Sequence, residues 1–450
     1  MGVSLALNKS AKGDEMMTVA YCTFGCKVNQ YETDCIAELM ERNGFVTTDD
    51  MMTADIVIIN SCTVTQSADV KLGQLLRRVR RQNPEAITIV AGCYPQAHGE
   101  TALIKDADII IGEANKTKIP EIISEFLEKH ERLCDITPHQ KGEKIERMSL
   151  SRRADKTRAI IKIQDGCDRF CSYCIIPYAR GRSRSKPIEE IQAEASELAL
   201  QGHRELILVG INLSCYGEDL GGIDLADAVH AACLSTADRV RLGSIEPEML
   251  TENIIKRLSH EAKLCPHFHL SLQSGCDRTL ERMRRRYNSS EYRELVKLLR
   301  AYFPYCAITT DVMVGFPGET EEDFLESVEF VKEIAFAGVH VFPYSEREGT
   351  VASKMPGSVP KAERYRRAEI MSEAAKIGEE AFREAHSGKV VSVLFEHEKD
   401  SNYHQGHTKD YLMVKVSKVQ DTLWKEIRDV KITECKDNCL YGELINPTAD

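Results

Sequence analysis

AIIKIQDGCDRFCSYC, residues 159–174, joins an apolar, β-branched run to a loop that carries three cysteines, Cys167, Cys171 and Cys174. The run reads as a strand, and the loop begins where it ends. Three thiolates so close together can each take one iron of a cubane cluster, but they supply no fourth ligand. One iron therefore stays open to a small molecule, as the open position of a catalytic metal site does and a structural zinc knot does not.

Downstream of this stretch the same pattern repeats. From Arg158 to about Gly349, the strand candidates RELILVG (204–210), RVRLGSI (239–245), HFHLSLQ (267–273), AITTDVMV (307–314) and VHVFPYS (339–345) follow AIIKIQ, each separated by a helix-length segment. Six such βα units make a full or partial parallel barrel, whose active site lies at the strand C-termini, where the cysteine loop sits. A helical stretch, residues 361–386, then leads into KVVSVLFEHE, DYLMVKVSK, WKEIRDVKITEC and CLYGELI. These read as a small antiparallel β domain.

Upstream, residues 17–130 alternate short apolar strands with helical stretches, which predicts an α/β domain with a parallel sheet. Cys26 follows MMTVAYC, Cys62 follows DIVIIN and Cys93 follows AITIVAG. Strand C-termini of a parallel sheet share one edge. Three cysteines far apart in sequence are thus expected to meet there and to hold a second cluster, again with one open iron. Residues 131–157, polar and containing Pro138 and Gly142, read as a linker. The expected organisation is an N-terminal domain at 17–130, a linker at 131–157, a barrel with its trailing helix at 158–386 and a β domain at 387–450.

Composition narrows the function class. Sixteen cysteines in 450 residues, with no cleavable apolar leader visible in MGVSLALNKSAKGDE, point to metal or catalysis in a reducing cytoplasm rather than to disulfides. No apolar run of about eighteen residues is present, so no membrane span is expected. The formal net charge of -11 argues against a generally basic nucleic-acid binder. Any RNA contact is expected at local patches: Lys71 to Arg81, Arg180 to Lys186, and Arg282 to Arg286. The loop carrying Tyr178, Arg180, Arg182 and Arg184 is expected to reach cofactor and phosphate.

Gly25-Cys26-Lys27-Val28-Asn29-Gln30-Tyr31-Glu32, Asn60-Ser61-Cys62-Thr63-Val64-Thr65 and Ala91-Gly92-Cys93-Tyr94-Pro95-Gln96, with Gly166-Cys167 through Cys174-Ile175-Ile176-Pro177-Tyr178 and Arg180-Gly181, resemble the radical S-adenosylmethionine methylthiotransferase family. The resemblance covers nearly the whole chain and places a TRAM-like module at the C-terminus. It implies two [4Fe-4S] clusters, on Cys167, Cys171 and Cys174 and on Cys26, Cys62 and Cys93. It further implies two S-adenosylmethionine molecules, one donating a methyl group to sulfur and one yielding a 5′-deoxyadenosyl radical. Cys26-Lys27-Val28-Asn29 is similar to the branch acting on threonylcarbamoyladenosine, beside the anticodon on its 3′ side in tRNAs reading codons that begin with A. An isopentenyladenosine tRNA or a ribosomal-protein aspartate is the alternative acceptor, and a non-catalytic iron–sulfur scaffold or electron carrier is the alternative class. A reductase or flavodoxin-type electron donor, a sulfur source and a monomeric state complete the expectation.

For S-adenosylmethionine, Tyr173 on the cysteine loop and Asn212, Ser244, Glu246, Gln273, Ser274 and Asp311 at barrel strand ends are the candidates, with Gly315 to Gly318 allowing close approach of the backbone. Ser274, Asp311 and Thr320 equally suit helix caps. In the C-terminal segment acids slightly outnumber bases, so His397, Tyr403, His404, His407 and Tyr411 are expected to offer stacking surfaces for RNA. Trp424 is expected in the core, and Cys435 and Cys439 in packing.

Overall fold

The computed structural model describes residues 16–151, 156–397, 400 and 402–445. The leader reading of MGVSLALNKSAKGDE and the linker positions 152–155 lie outside them. The chain divides into two compact units: the described parts of Met1–Arg152, Gln164–Lys186 and Ser345–Ser353 form one, and those of Arg153–Ile163, Pro187–Tyr344 and Lys354–Asp450 the other.

In the first unit, β1 (Thr18–Thr23), β2 (Val46–Thr47), β3 (Ile56–Ser61), β4 (Ile87–Gly92), β5 (Ile109–Ile111) and β6 (Leu133–Asp135) make one parallel sheet in the order β2-β1-β3-β4-β5-β6. Its sixth strand comes from within residues 131–157. Every residue of β3, β4 and β5 is buried, as their near-continuous Ile and Val runs require of a sheet covered on both faces. Three helices matter for the site: α1 (Lys27–Arg42), α2 (Gln66–Gln82) and α3 (Cys93–His98). In α2, Leu72, Leu76 and Val79 pack inward against Val57, Ile59 and Val90. Its opposite face leaves Lys71, Arg77, Arg78 and Arg81 exposed.

The second unit opens with β7 (Arg158–Lys162); the short antiparallel pair β8 (Gln164–Asp165) and β9 (Arg184–Ser185), which brackets the cysteine loop, belongs to the first. The barrel strands continue as β10 (Glu205–Val209), β11 (Arg239–Leu242), β12 (Ser244–Ile245), β13 (His267–Leu270), β14 (Ala307–Val314) and β15 (Gly338–Pro343). They pair in parallel in the orders β11-β10-β7 and β12-β13-β14-β15, with β11 and β12 interrupted at Gly243. Among the described residues no ladder joins β15 to β7, so the barrel is the partial one expected. After the helix Lys361–Glu384, strands β16 (Val390–Phe395), β17 (Tyr403–Thr408), β18 (Met413–Ser417), β19 (Ile427–Lys436) and β20 (Cys439–Leu444) close a five-stranded barrel in the order β16-β17-β18-β20-β19. All its pairings are antiparallel except β18 with β20. The expected small β domain is therefore present.

A buried charge layer ties this domain to the starts of the barrel strands. Glu205 faces Arg241 Nε at 2.7 Å, Arg158 Nε at 2.9 Å and Arg239 Nη1 at 3.6 Å. Arg158 also reaches Glu396, which accepts from His407, while Arg239 donates to the Ser392 and His407 carbonyls. His407 stacks on Tyr411, and Arg241 lies over the Tyr411 ring. His407 is thus spent on internal packing, whereas Tyr411, stacked on it, remains exposed. Trp424, in turn, is only half-buried: it stacks on His397 and donates to the Thr157 hydroxyl. A polar indole N–H with a partner at the surface outweighs the pull of the core here.

Burial alone would raise the Glu205 pKa, but Arg241 and Arg158 outweigh it and hold it at about 2, below the ordinary 4.5. Glu205→Gln leaves three guanidinium groups without their shared counter-charge and is expected to cost about 3–5 kcal/mol, read from urea unfolding midpoints at pH 7. Because the folded pKa is depressed, that difference should be complete above pH 4.5 and shrink as pH falls towards 2.

Candidate metal centres

The parallel register brings Cys26, Cys62 and Cys93 to one edge. Cys22 pairs with Ile59, Asn60 with Ala91 and Ser61 with Gly92, so the three chains leave the sheet side by side. Cys26 is the N-cap of α1, Cys62 follows β3 directly, and Cys93 opens α3. Cys26 is exposed, whereas Cys62 and Cys93 are buried.

Two glycines permit the approach. Gly25 has φ +125°, and a Cβ there would stand 2.6 Å from Cys62 Cβ and 3.2 Å from its Sγ. Gly92 has φ +102°, and a Cβ there would stand 2.5 Å from Asn60 Oδ1. Both the conformation and the space demand glycine. A lattice of amides fixes the loops: Asn29 donates to the Ser61 carbonyl at 3.1 Å, Asn60 donates to the Asn29 carbonyl at 3.0 Å, and the Cys26 thiol lies 3.2 Å from Asn29 Oδ1. Asn29 is thus the structural reason for the fourth position of Cys-Lys-Val-Asn.

Beneath the thiols lies a buried ion cluster. Arg180, wholly inaccessible, donates from Nε to Cys93 Sγ at 3.3 Å and from Nη2 to Asn29 Oδ1 at 3.2 Å. Its Nη1 meets Glu32 Oε1 at 2.8 Å, Asp165 Oδ1 at 3.1 Å and Glu113 Oε2 at 3.4 Å. Lys116 binds Glu113 at 2.5 Å and Glu32 at 2.6 Å. Arg184 stands 3.1 Å from Glu143 and 3.6 Å from Asp165, so three cations face four carboxylates. Burial pushes the thiols of Cys62 and Cys93 up, and the Arg180 charge pulls both down. Burial also works against the Lys116 charge, but Glu113 and Glu32 outweigh it and raise its pKa.

The expectation that Arg180 to Lys186 forms an RNA-facing patch is therefore corrected. Arg180, Arg184 and Lys186 are buried, and only Arg182 is exposed, paired with Asp168 at 2.6 Å. Carboxylates on α1 and after β5, invisible in a local charge count, turn this basic run inward. Sequence reading also missed Glu113, Lys116 and Arg347. Arg347 pairs with Asp69 at 2.6 Å and reaches the Thr63 carbonyl next to Cys62.

The second triad is local. Cys167, Cys171 and Cys174 are all partly exposed on the loop between β8 and β9. Cys167 N–H donates to the Gly181 carbonyl and Cys174 N–H to the Cys171 carbonyl, each at 3.0 Å. Gly166, at φ +70°, would place a Cβ 2.0 Å from the Arg182 carbonyl. Asp168 accepts from the Ser183 N–H at 3.0 Å, and Phe170 packs edge-on to Tyr178. Both thiol sets are of the kind that three-point ligation of a cubane needs: none of the six cysteines is in a disulfide, and Cys93 Sγ accepts from the buried Arg180.

On the barrel, Asn212 is buried after β10, and Ser244 is exposed in β12. Glu246 is ion-paired with Arg285. Gln273, at φ +66°, donates its N–H to the Asp311 carbonyl at 2.8 Å. Ser274 Oγ accepts from the Cys276 N–H, and Thr320 caps the helix Glu321–Ile334. Asp311 Oδ2 lies 3.2 Å from His269 Nε2. The space expected beside Gly315 for adenine or ribose is filled by Arg364, whose Cγ a Cβ would meet at 2.4 Å. Gly318 donates to the Gly357 carbonyl. Gly315 makes room for Arg364, whereas glycine at 318 answers to its φ of +80°.

Residues 18–112 match the Uncharacterized protein family UPF0004, and residues 161–331 the Radical SAM superfamily. The chain is 36% identical over 445 residues to the threonylcarbamoyladenosine tRNA methylthiotransferase MtaB of Bacillus subtilis, across 97% of this chain and 98% of the relative. It is 38% identical over 383 residues to the enzyme of that name from Thermotoga maritima, across 85% and 87%. With the tRNA-2-methylthio-N6-dimethylallyladenosine synthase of Pelotomaculum thermopropionicum it shares 36% identity over 387 residues, across 84% and 86%. Among solved structures, the radical S-adenosylmethionine methyltransferase TsrM of Kitasatospora setae has the same fold over 75% of this chain and 77% of that one, with a TM-score of 0.57 and 15% identity.

Proposed function

Since this chain belongs to the radical S-adenosylmethionine methylthiotransferase family, we propose that it adds a methylthio group at C2 of N6-threonylcarbamoyladenosine. The target lies on the 3′ side of the anticodon in tRNAs reading A-starting codons, and each turnover consumes two S-adenosylmethionine molecules. The observation that carries the reading is the pair of three-thiol sets, one at a parallel-sheet edge and one on a tight loop. Cys-Lys-Val-Asn at positions 26–29 supports the threonylcarbamoyl branch, as do the relatives of that name in Bacillus and Thermotoga.

In this proposal Cys167, Cys171 and Cys174 hold the cluster that works on S-adenosylmethionine, and Cys26, Cys62 and Cys93 hold the second. When bound, the two clusters supply the electron that opens the sulfonium and a seat for the sulfur to be inserted. The protein's own part is orientation and charge. Burial disfavours the thiolates that iron needs at Cys62 and Cys93, and the Arg180 charge works in part against it. Asn29 and the two amide-tied turns hold the thiol directions. Tyr173, Asn212, Ser244, Gln273, Ser274 and Asp311 remain the proposed S-adenosylmethionine contacts; Glu246 would contribute through its pair with Arg285.

The Pelotomaculum relative keeps isopentenyladenosine tRNA as the competing acceptor. Anaerobically reconstituted enzyme, given S-adenosylmethionine, a reductant and tRNAs carrying either adenosine without methylthio, is assayed by nucleoside mass spectrometry. Gain of methylthio on the threonylcarbamoyl nucleoside alone is expected. Gain only on the isopentenyl nucleoside would reassign the branch, and none on either would overturn the reading.

A further inference from the structure

Neither thiol set uses a third group of ligand-type side chains on the barrel. His269 in β13, Asp311 in β14 and His340 in β15 each direct one ligand atom so that all three lie within 4.8 Å of one another. The register explains why: His269 pairs with Thr309, and Asp311 pairs with His340. His269 and Thr309 share a register row, and Asp311 with His340 occupies the next row on the same face, since side chains two residues apart point the same way. Three adjacent, rigid strands thus present two imidazoles and one carboxylate to a common point.

His269 is held in a particular way. Its Nδ1 lies 3.0 Å from the Thr309 hydroxyl, which is also 3.2 Å from His267 Nε2. Its Nε2 is buried and without a hydrogen-bond partner; the Asp311 carboxylate stands 3.2 Å away. If Nδ1–H donates to Thr309, the Nε2 lone pair points at a carboxylate, an arrangement that only a proton or a cation between them makes favourable. A hydrogen bond at the outer nitrogen fixes the tautomer and direction of the ring, as such a bond does for a metal-bound histidine, and leaves the inner nitrogen facing Asp311. His340 is exposed. A cation there would therefore keep open positions towards solvent.

We propose that His269, Asp311 and His340 form a site for one divalent cation of the zinc or iron(II) class, separate from both cysteine triads. Two imidazoles with one carboxylate suit such borderline ions better than magnesium or calcium, which prefer oxygen donors. Thr309 is a positioning residue for His269. The inference stands apart from the methylthiotransferase reading, because binding is measured without tRNA or turnover.

The test uses anaerobically reconstituted enzyme with both clusters in place, dialysed to equilibrium against Zn2+ buffered by a weak chelator, with zinc and iron measured together. The wild type is expected to take up one more zinc per chain than Asp311→Asn or His340→Ala at equal iron content. Thr309→Val should keep the site but weaken it by about tenfold or more. Equal zinc in the wild type and His340→Ala overturns the proposal and leaves a shared proton as the occupant between His269 and Asp311. Should Asp311→Asn fail to fold, His340→Ala decides, because its side chain is at the surface.

Discussion

Alanine at Cys167, Cys171 and Cys174 together is expected to leave a folded protein that keeps about half its iron, as one cubane cluster, and has lost methylthiolation and reductive cleavage of S-adenosylmethionine completely. The loop between β8 and β9 owes its shape to backbone bonds at Cys167 and Gly181 and to Asp168, none of which needs the thiols, so the variant should fold. The reciprocal variant, with alanine at Cys26, Cys62 and Cys93, should keep the other half of the iron. It should still cleave S-adenosylmethionine to 5′-deoxyadenosine, and yield no methylthio product. Anaerobic iron and sulfide analysis with electron paramagnetic resonance reads the first result, and nucleoside analysis the second. If the first variant loses all iron while remaining folded, the sheet-edge cysteines are structural and the protein is a single-cluster radical enzyme.

Replacing Arg180 should be nearly as damaging, by another route. Arg180→Met preserves much of the side-chain volume but removes the cation that faces Glu32, Asp165 and Glu113 and donates to Cys93. Lys116 and Arg184 cannot neutralise three buried carboxylates alone. Breaking such a cluster typically costs about 3–5 kcal/mol, which urea unfolding of the apoprotein would register. In the same variant the thiols of Cys62 and Cys93 lose the charge that opposes their burial, so the sheet-edge cluster should load incompletely while the loop cluster loads normally. Full loading of both clusters, with an unchanged midpoint, would show that the cluster's charge is balanced elsewhere.

Much of this was legible because it is local or periodic. The spacing of Cys167, Cys171 and Cys174 lies within one turn of chain, and Cys26, Cys62 and Cys93 each close a β-branched run whose period announces a strand. Equivalent strand ends share one edge of a parallel sheet, so the neighbouring exits of β1, β3 and β4 were implied by the sequence. What stayed hidden depends on partners distant in sequence. Arg180 looked like one more residue of a basic run, and only Glu32, Glu113 and Asp165 make it a buried counter-ion. The group of His269, Asp311 and His340 is assembled by three strands whose register no spacing rule supplies. Trp424 shows the opposite failure: apolarity predicted burial, whereas a stacking partner at the surface, His397, holds it half-exposed.

The parallel pairing of β18 with β20 carries a consequence for folding. Hairpins alone cannot complete this barrel, because β18 bonds to β17 on one side and to β20 on the other while β19 intervenes in the chain. The domain whose Glu396 and Ser392 and His407 carbonyls hold Arg158 and Arg239 therefore rests on one ladder that is not made by neighbouring strands. Closing that ladder is expected to be slower than forming the hairpins, and disrupting Cys439–Leu444 should leave β18 and β19 without the neighbour they share.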